Sequence, residues 1–295
     1  MTTPTNVGQD RENAVKHSLA DFPTSRMLKL IVGNCLLPFF RGRAEQVAAA
    51  PFGKPWNALD RLLRSGLYSE AFRKKDHRRL RAFLSNYWEE EAKNFHDGWK
   101  DRFERTFLKH DVEVIDALEE EMKGLAFERL YEIGCSGGQV LEYLAERLAS
   151  LQRLTGIDLG EDQIAANREQ YDNSKMVFEA ADATQWIPEH ASSNSVFVTN
   201  GGVFEYFLQE ELETLFKFFA DQRKPAAVAL VETIGTDHNL EREKDSLIYG
   251  REMSFSHNYP HLLEQAGFTI KHQSERVGFE VDGGGRWIRV LAMVQ

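Results

Sequence analysis

The stretch LYEIGCSGGQVLEYLA, residues 130–145, runs from an apolar segment through an acid and a glycine-rich loop into a helical pattern. Leu130, Tyr131 and Ile133 read as a buried strand, and Val140, Leu141 and Leu144 share one face of a helix. Glycines at a strand-to-helix turn permit positive φ and close approach of a ligand to the backbone. The start of the helix adds N–H groups without internal partners. A diphosphate would suit such a loop. The dinucleotide fingerprint G-x-G-x-x-G is absent, however, because the order is Gly134-Cys135-Ser136-Gly137-Gly138. Glu132 at the strand's end would also repel a diphosphate. The combination fits a ligand that carries positive charge and no phosphate.

The pattern continues outward from this stretch. After Gly124, apolar runs alternate with helical segments. FERLYEI, RLTGIDL, KMVFEA, SVFVTN and AAVALVETI read as strands, followed by FTIKHQSERV and GRWIRVLAMV. Helical patterns between most of them predict an α/β, Rossmann-like, seven-stranded and mainly parallel sheet covered on both faces. The last two strands lack a helix between them and are joined by the glycine-rich VDGGGRW, so the last strand is expected to be antiparallel. Asp158 ends the second strand about 20 residues after the loop, where an acid can accept ribose hydroxyls. Asp182 follows the third strand. In an open parallel sheet, ligands lie outside the carboxyl ends of the strands, so Glu132, Asp158 and Asp182 are expected around one cleft. Asp158 could also cap the helix after Gly160, and Asp182 could be a turn residue.

Before Gly124 the pattern is helical. Ile115, Leu118, Met122 and Leu125 share a face, with Asp111 a candidate cap. The organisation read here is a flexible N-terminus over 1–24, a helical region over 25–109 and a ligand-binding domain over 110–295. The helical region could supply a homodimer contact. A net charge of −10 argues against nucleic acid or anionic lipid as partner. Two cysteines, Cys35 and Cys135, argue against a disulfide framework, and no apolar run is long enough to span a bilayer. A cytoplasmic protein is expected, and no metal site.

The motifs resemble those of class I S-adenosylmethionine-dependent methyltransferases. EIGCSGG resembles the family's first motif, acid-x-Gly-x-Gly-x-Gly, with Ser136 in place of the middle glycine. GIDLGEDQI resembles the second, AADAT the adenine-binding motif, and VTNGGVFEYF the fourth-strand motif. The resemblance covers well over half the chain. It implies S-adenosylmethionine as cofactor, held by Glu132, Gly134, Cys135, Ser136, Gly138, Asp158, Leu159, Asp182, Ala183 and Asn200. Asp182 would meet the adenine amine, and Gly134→Val would push a side chain into cofactor space.

The implied activity is methyl transfer to a small molecule, with oxygen ahead of nitrogen as acceptor. A sulfonium methyl is already electrophilic, so a base is needed only for a weakly acidic hydroxyl. His257 is the first candidate base, with Glu205 and Glu232 behind it. In the aromatic stripe Tyr87, Trp88, Phe95 and Trp99, the first two are candidates for a lid, and Tyr206 for the substrate wall. Eight basic and two acidic residues between Arg61 and Arg81 leave an alternative: an RNA or protein methyltransferase that docks through this helix. The plainer reading of that stretch is a solvated helix face. A non-catalytic cofactor-binding protein is the third class.

Overall fold

A computed structural model describes residues 24–49, 57–98, 101–222, 224–250, 252–277 and 285–295. The expected flexible N-terminus lies outside the described residues except for Thr24. Most of the glycine-rich turn before the last strand lies outside them too.

Five strands run parallel: β1 (Arg129–Ile133), β2 (Arg153–Asp158), β3 (Met176–Ala180), β4 (Ser195–Asn200) and β5 (Ala226–Ile234). Two short strands, β6 (Leu247–Tyr249) and β7 (Ser254–Ser256), pair with each other outside the main sheet. Then come β8 (Thr269–Val277) and β9 (Arg286–Val294). The main sheet has the order β3-β2-β1-β4-β5-β9-β8. Only β9 runs against its neighbours, as the sequence predicts. Strand order reverses at β1, which lies between β2 and β4, so the crevice of this sheet opens at the ends of β1 and β4.

Alternation in β1 divides the core. Leu130 points to a layer built with Ile115 and Leu118 of α4 (Glu113–Glu121) and Leu141 and Leu144 of α5 (Gln139–Arg147). Tyr131 and Ile133 point to the other layer. That layer holds Ile187 of α7 (Ala183–His190), Phe216 and Phe219 of α8 (Gln209–Gln222), and Leu263 of α9 (Tyr259–Ala266). The remaining crossover helix, α6 (Glu161–Gln170), packs next to β3.

The N-terminal helices are α1 (Thr24–Ala48), α2 (Ala58–Lys74) and α3 (His77–Gly98). α1 and α2 touch backbone to backbone. A Cβ on Gly33 would stand 2.1 Å from the Leu62 carbonyl oxygen, and one on Gly66 2.6 Å from the Gly33 oxygen. A π-helical segment, Phe103–Asp111, leads into α4. Asp111 does not cap α4. It is buried, and both its oxygens take the Arg276 guanidinium of β8, at 2.9 and 3.0 Å. Losing one partner of a buried ion pair strands the other. Asp111→Ala is therefore expected to cost about 3 kcal/mol of stability, read as a lowered denaturation midpoint.

Candidate active site

The carboxyl ends of β1, β2 and β4, the turn after β3, α3 and the β6–β7 hairpin surround one cavity of about 700 Å³. The glycine-rich loop forms its floor. Gly134 has φ +72°, and Gly138, at the start of α5, has φ +77°. Ser136 also lies in the left-handed region, at φ +44°, which is the conformation a glycine would hold there. Its strain is offset locally. The Ser136 N–H donates to Asp158 Oδ2 at 3.0 Å, and Asn167 Nδ2 donates to the Ser136 carbonyl at 2.6 Å. Cys135 is buried and packs beneath Gly156, where a Cβ would stand 2.8 Å from its sulfur. Burial, with Asp158 and Glu132 nearby, pushes its thiol well above the usual range, so it is a packing residue rather than a nucleophile.

A Cβ on Gly134 would meet Val203 Cγ2 at 2.5 Å. The first atom of a side chain at this position would thus strike the turn after β4. The same contact shows that the loop and this turn lie against each other. His96 of α3 closes over Gly137, where a Cβ would reach its ring at 2.0 Å.

Glu132 is 2% exposed, and its Oε2 has no hydrogen-bond partner. Burial, and then the Asp158 charge, raise its pKa well above the carboxylate range. Asn200 Oδ1, at the end of β4, is buried without a partner too. Two orphaned acceptors on adjacent strand ends fit a ligand with cationic and N–H groups. Asp158 Oδ1 accepts the Gly160 N–H at 3.0 Å while Oδ2 accepts that of Ser136. Burial raises its pKa against these bonds. Asp158 is both the turn acid and a cavity wall, since each carboxylate oxygen keeps a further lone pair. Leu159 and Ala183 line the same wall. Asp158→Ala is expected to weaken S-adenosylmethionine binding by about 2–3 kcal/mol in calorimetry, from lost charge-assisted hydrogen bonds.

Asp182 caps α7 through Oδ1, which accepts the Thr184 N–H and hydroxyl at 2.9 and 2.7 Å. Its Oδ2 pairs with Arg81 of α3 at 3.0 Å. Arg81 is buried and also holds Glu211 at 3.0 Å. No local pattern signals this pairing, because Arg81 lies 101 positions away. Neighbouring cations are also paired: Lys74 with Glu70, Arg78 with Glu210, Arg79 with Glu45. Arg81 thus clamps α3 to the domain, while Lys74 and Arg78 form their pairs at the solvated surface.

The candidate bases separate clearly. His257 is fully buried and is absent from the cavity wall. Its Nε2 faces the Phe207 carbonyl at 3.1 Å and so carries the proton, and its Nδ1 meets the Ser246 hydroxyl at 2.5 Å. Burial pushes its pKa down to about 3. With both nitrogens engaged away from the cavity, it is not the base. Glu232 is off the wall as well. Its Oε2 accepts the Phe204 N–H at 3.0 Å, bracing the turn after β4, and burial pushes its pKa up to about 8.

Glu205 does line the cavity. Its Oε2 accepts hydroxyls from Tyr249 at 2.7 Å and Ser254 at 2.6 Å. Its Oε1 lies over Gly202, where a Cβ would stand 2.6 Å away. Burial raises its pKa to about 7 despite the two hydroxyls. Tyr249 and Ser254 belong to the β6–β7 hairpin, which has too little periodicity in three-residue strands to be read from sequence. Tyr87, Trp88 and Tyr206 line the cavity too. Phe95 and Trp99 of the same stripe lie outside the residues whose side chains are described.

Residues 130–226, which contain all four motifs, match the methyltransferase-domain family. Sheet order, glycine loop and motif acids agree with that match. The matched segment is consistent with a class I S-adenosylmethionine-dependent methyltransferase domain. The protein is an enzyme, and S-adenosylmethionine is its cofactor. No curated protein matches it in sequence. Among solved structures, N-methyltransferase NodS from Bradyrhizobium japonicum WM9, with S-adenosyl-L-homocysteine, is 16% identical. The match spans 62% of this chain and 85% of that one, at a TM-score of 0.45. Magnesium protoporphyrin IX methyltransferase (ChlM) from Synechocystis PCC 6803 is 12% identical over 90% of this chain and 99% of its own, at 0.45. A methyltransferase from Clostridium acetobutylicum ATCC 824 is 11% identical over 68% and 98%, at 0.48. None of the described helices is long and apolar enough to cross a membrane.

Proposed function

We propose that this methyltransferase acts on a small-molecule acceptor, an oxygen or nitrogen that gives its proton to Glu205. The observation that carries the reading is one cavity, within the size range of small-molecule sites, with both the motif acids and Glu205 on its wall. When bound, the cofactor supplies a methyl group already activated on a sulfonium. The chain's part is to bind, orient and exclude water. Glu132 and Asn200 offer acceptors to the cationic tail, and Asp158 to the ribose. Asp182 keeps lone pairs for the adenine amine beside its bond to Arg81. Val203 and Glu205 sit on one turn, so the loop that meets the cofactor is continuous with the residue that meets the acceptor.

Helix α3 is the lid in this reading. Trp88 packs against Tyr206, with ring centroids 5.2 Å apart, and Arg81 ties the helix to Asp182 and Glu211. A helix lying over the cavity favours a small acceptor over a polymer. The test is incubation of the full chain with S-adenosylmethionine labelled in the methyl group and a cell extract separated by size. Label in the small-molecule fraction is expected. Label confined to RNA or protein would reject the reading.

A further inference from the structure

Beyond the cofactor acids, the cavity wall includes the rings of Tyr87, Trp88 and Tyr206 and the carboxylates of Glu205 and Glu252. Trp88 lies edge-on to Tyr87, with centroids 5.2 Å apart, and tilted against Tyr206. The Tyr206 hydroxyl donates to Glu252 Oε2 at 3.0 Å. Glu205 sits on the same turn as Tyr206, held by Tyr249 and Ser254. Neither Glu205 nor Glu252 meets a cation among the described residues. Three arginines reach the wall and are engaged elsewhere. Arg81 holds Asp182 and Glu211, and Arg286 holds Glu275 at 2.7 Å and the His238 carbonyl. Arg102 holds the Gly201 carbonyl and lies over the Trp287 ring. Among the described residues, two acids without a paired cation thus line the same space as these three rings.

We infer, resting on the methyl-transfer reading above, that the acceptor is an amine bound as its ammonium ion, with Tyr87, Trp88 and Tyr206 around it and Glu205 and Glu252 as counter-charges. Ring faces and carboxylates both attract a cation, and more strongly where water is excluded. A neutral hydroxyl gains nothing from two like charges, and a phenolate or carboxylate acceptor is repelled by them. An ammonium nitrogen has no lone pair and cannot attack. Its N–H bond breaks toward Glu205, the proton goes to Oε1, and the bonding pair stays on nitrogen. The residue that recognises the charge thereby also removes it. The oxygen-first order expected from the sequence gives way to nitrogen, because the carboxylates and rings come from three segments that only folding brings together.

The test is calorimetry on the full chain saturated with S-adenosylhomocysteine, with benzylamine, benzyl alcohol and benzoate as probes of one scaffold and three charges. At neutral pH the benzylammonium ion is expected to bind about tenfold or more tighter than the alcohol, with benzoate weakest. Glu205→Gln and Glu252→Gln keep shape and remove charge, and each is expected to reduce that preference about threefold or more. Thermal melting close to wild type checks that both variants fold. Equal or tighter binding of the alcohol or benzoate, or no binding of any probe, overturns the amine inference. An unchanged preference in both glutamine variants overturns it as well. Failure of S-adenosylhomocysteine itself to bind would instead overturn the methyltransferase reading, so the two failures are told apart in one experiment.

Discussion

Gly134→Ala is expected to lower the melting temperature by about 8 °C and to weaken S-adenosylhomocysteine binding at least about tenfold, from two separate physical causes. The first is conformation. At φ +72° a Cβ crowds the carbonyl that follows, a cost of roughly 1–2 kcal/mol. The second is contact. The new Cβ would stand 2.5 and 2.7 Å from the two Val203 methyls, inside the range where something must move. Overpacking of that kind costs about 1–3 kcal/mol. Val203 is followed by Phe204, whose N–H is held by buried Glu232, so the turn cannot retreat freely. The glycine loop must shift instead, and with it the Ser136 amide that fixes Asp158. The double variant Gly134→Ala, Val203→Gly removes the contact and keeps the strain. It should recover part of the loss, less what glycine costs at position 203. A single variant that melts and binds like wild type would refute the tight loop-to-turn packing.

What could be read from the sequence follows from what is local. Glu132, Gly134 and Asp158 stand at strand ends, and period-two burial beside glycine fixes where strands end. Their convergence then follows from the parallel order alone. Ser136 stands where the motif has its middle glycine. The Asp158 and Asn167 bonds hold this serine in a glycine conformation. The acceptor side depends on contacts between distant segments. Arg81 meets Asp182, Glu205 meets Ser254, and no spacing rule relates either pair. His257 misled because a histidine before a helix near the strand ends has two available places, facing the cavity or facing the turn at Phe207. Only packing chooses between them, and it chose the turn. Asp111 misled similarly, since an acid at a helix start is a cap unless a buried arginine claims it, as Arg276 does.

Glu205→Gln is expected to lower kcat by about 100- to 10,000-fold, the range for a lost general base, while S-adenosylhomocysteine affinity stays within about twofold. Glutamine keeps the size of the side chain, and its carbonyl can still accept the Tyr249 and Ser254 hydroxyls. What it loses is basicity. In the wild type only ionised Glu205 accepts a proton, so log kcat/KM should rise with pH and level off above about 7, its raised pKa. Four groups face it. Ser254 and Tyr249 of the hairpin and Thr233 of β5 favour the ionised form, and Glu252 opposes it, all against the larger effect of burial. Glu252→Gln should therefore move this rise to lower pH, the opposite of its effect on cation binding. The rise should vanish in Glu205→Gln and persist in His257→Asn, because His257 has its lone pair taken by Ser246 and does not reach the cavity. The measurement is a pH–rate profile of the wild type and the three variants with the acceptor found by methyl labelling. A wild-type rate in Glu205→Gln, or a rise that disappears in His257→Asn alone, would remove Glu205 from the mechanism.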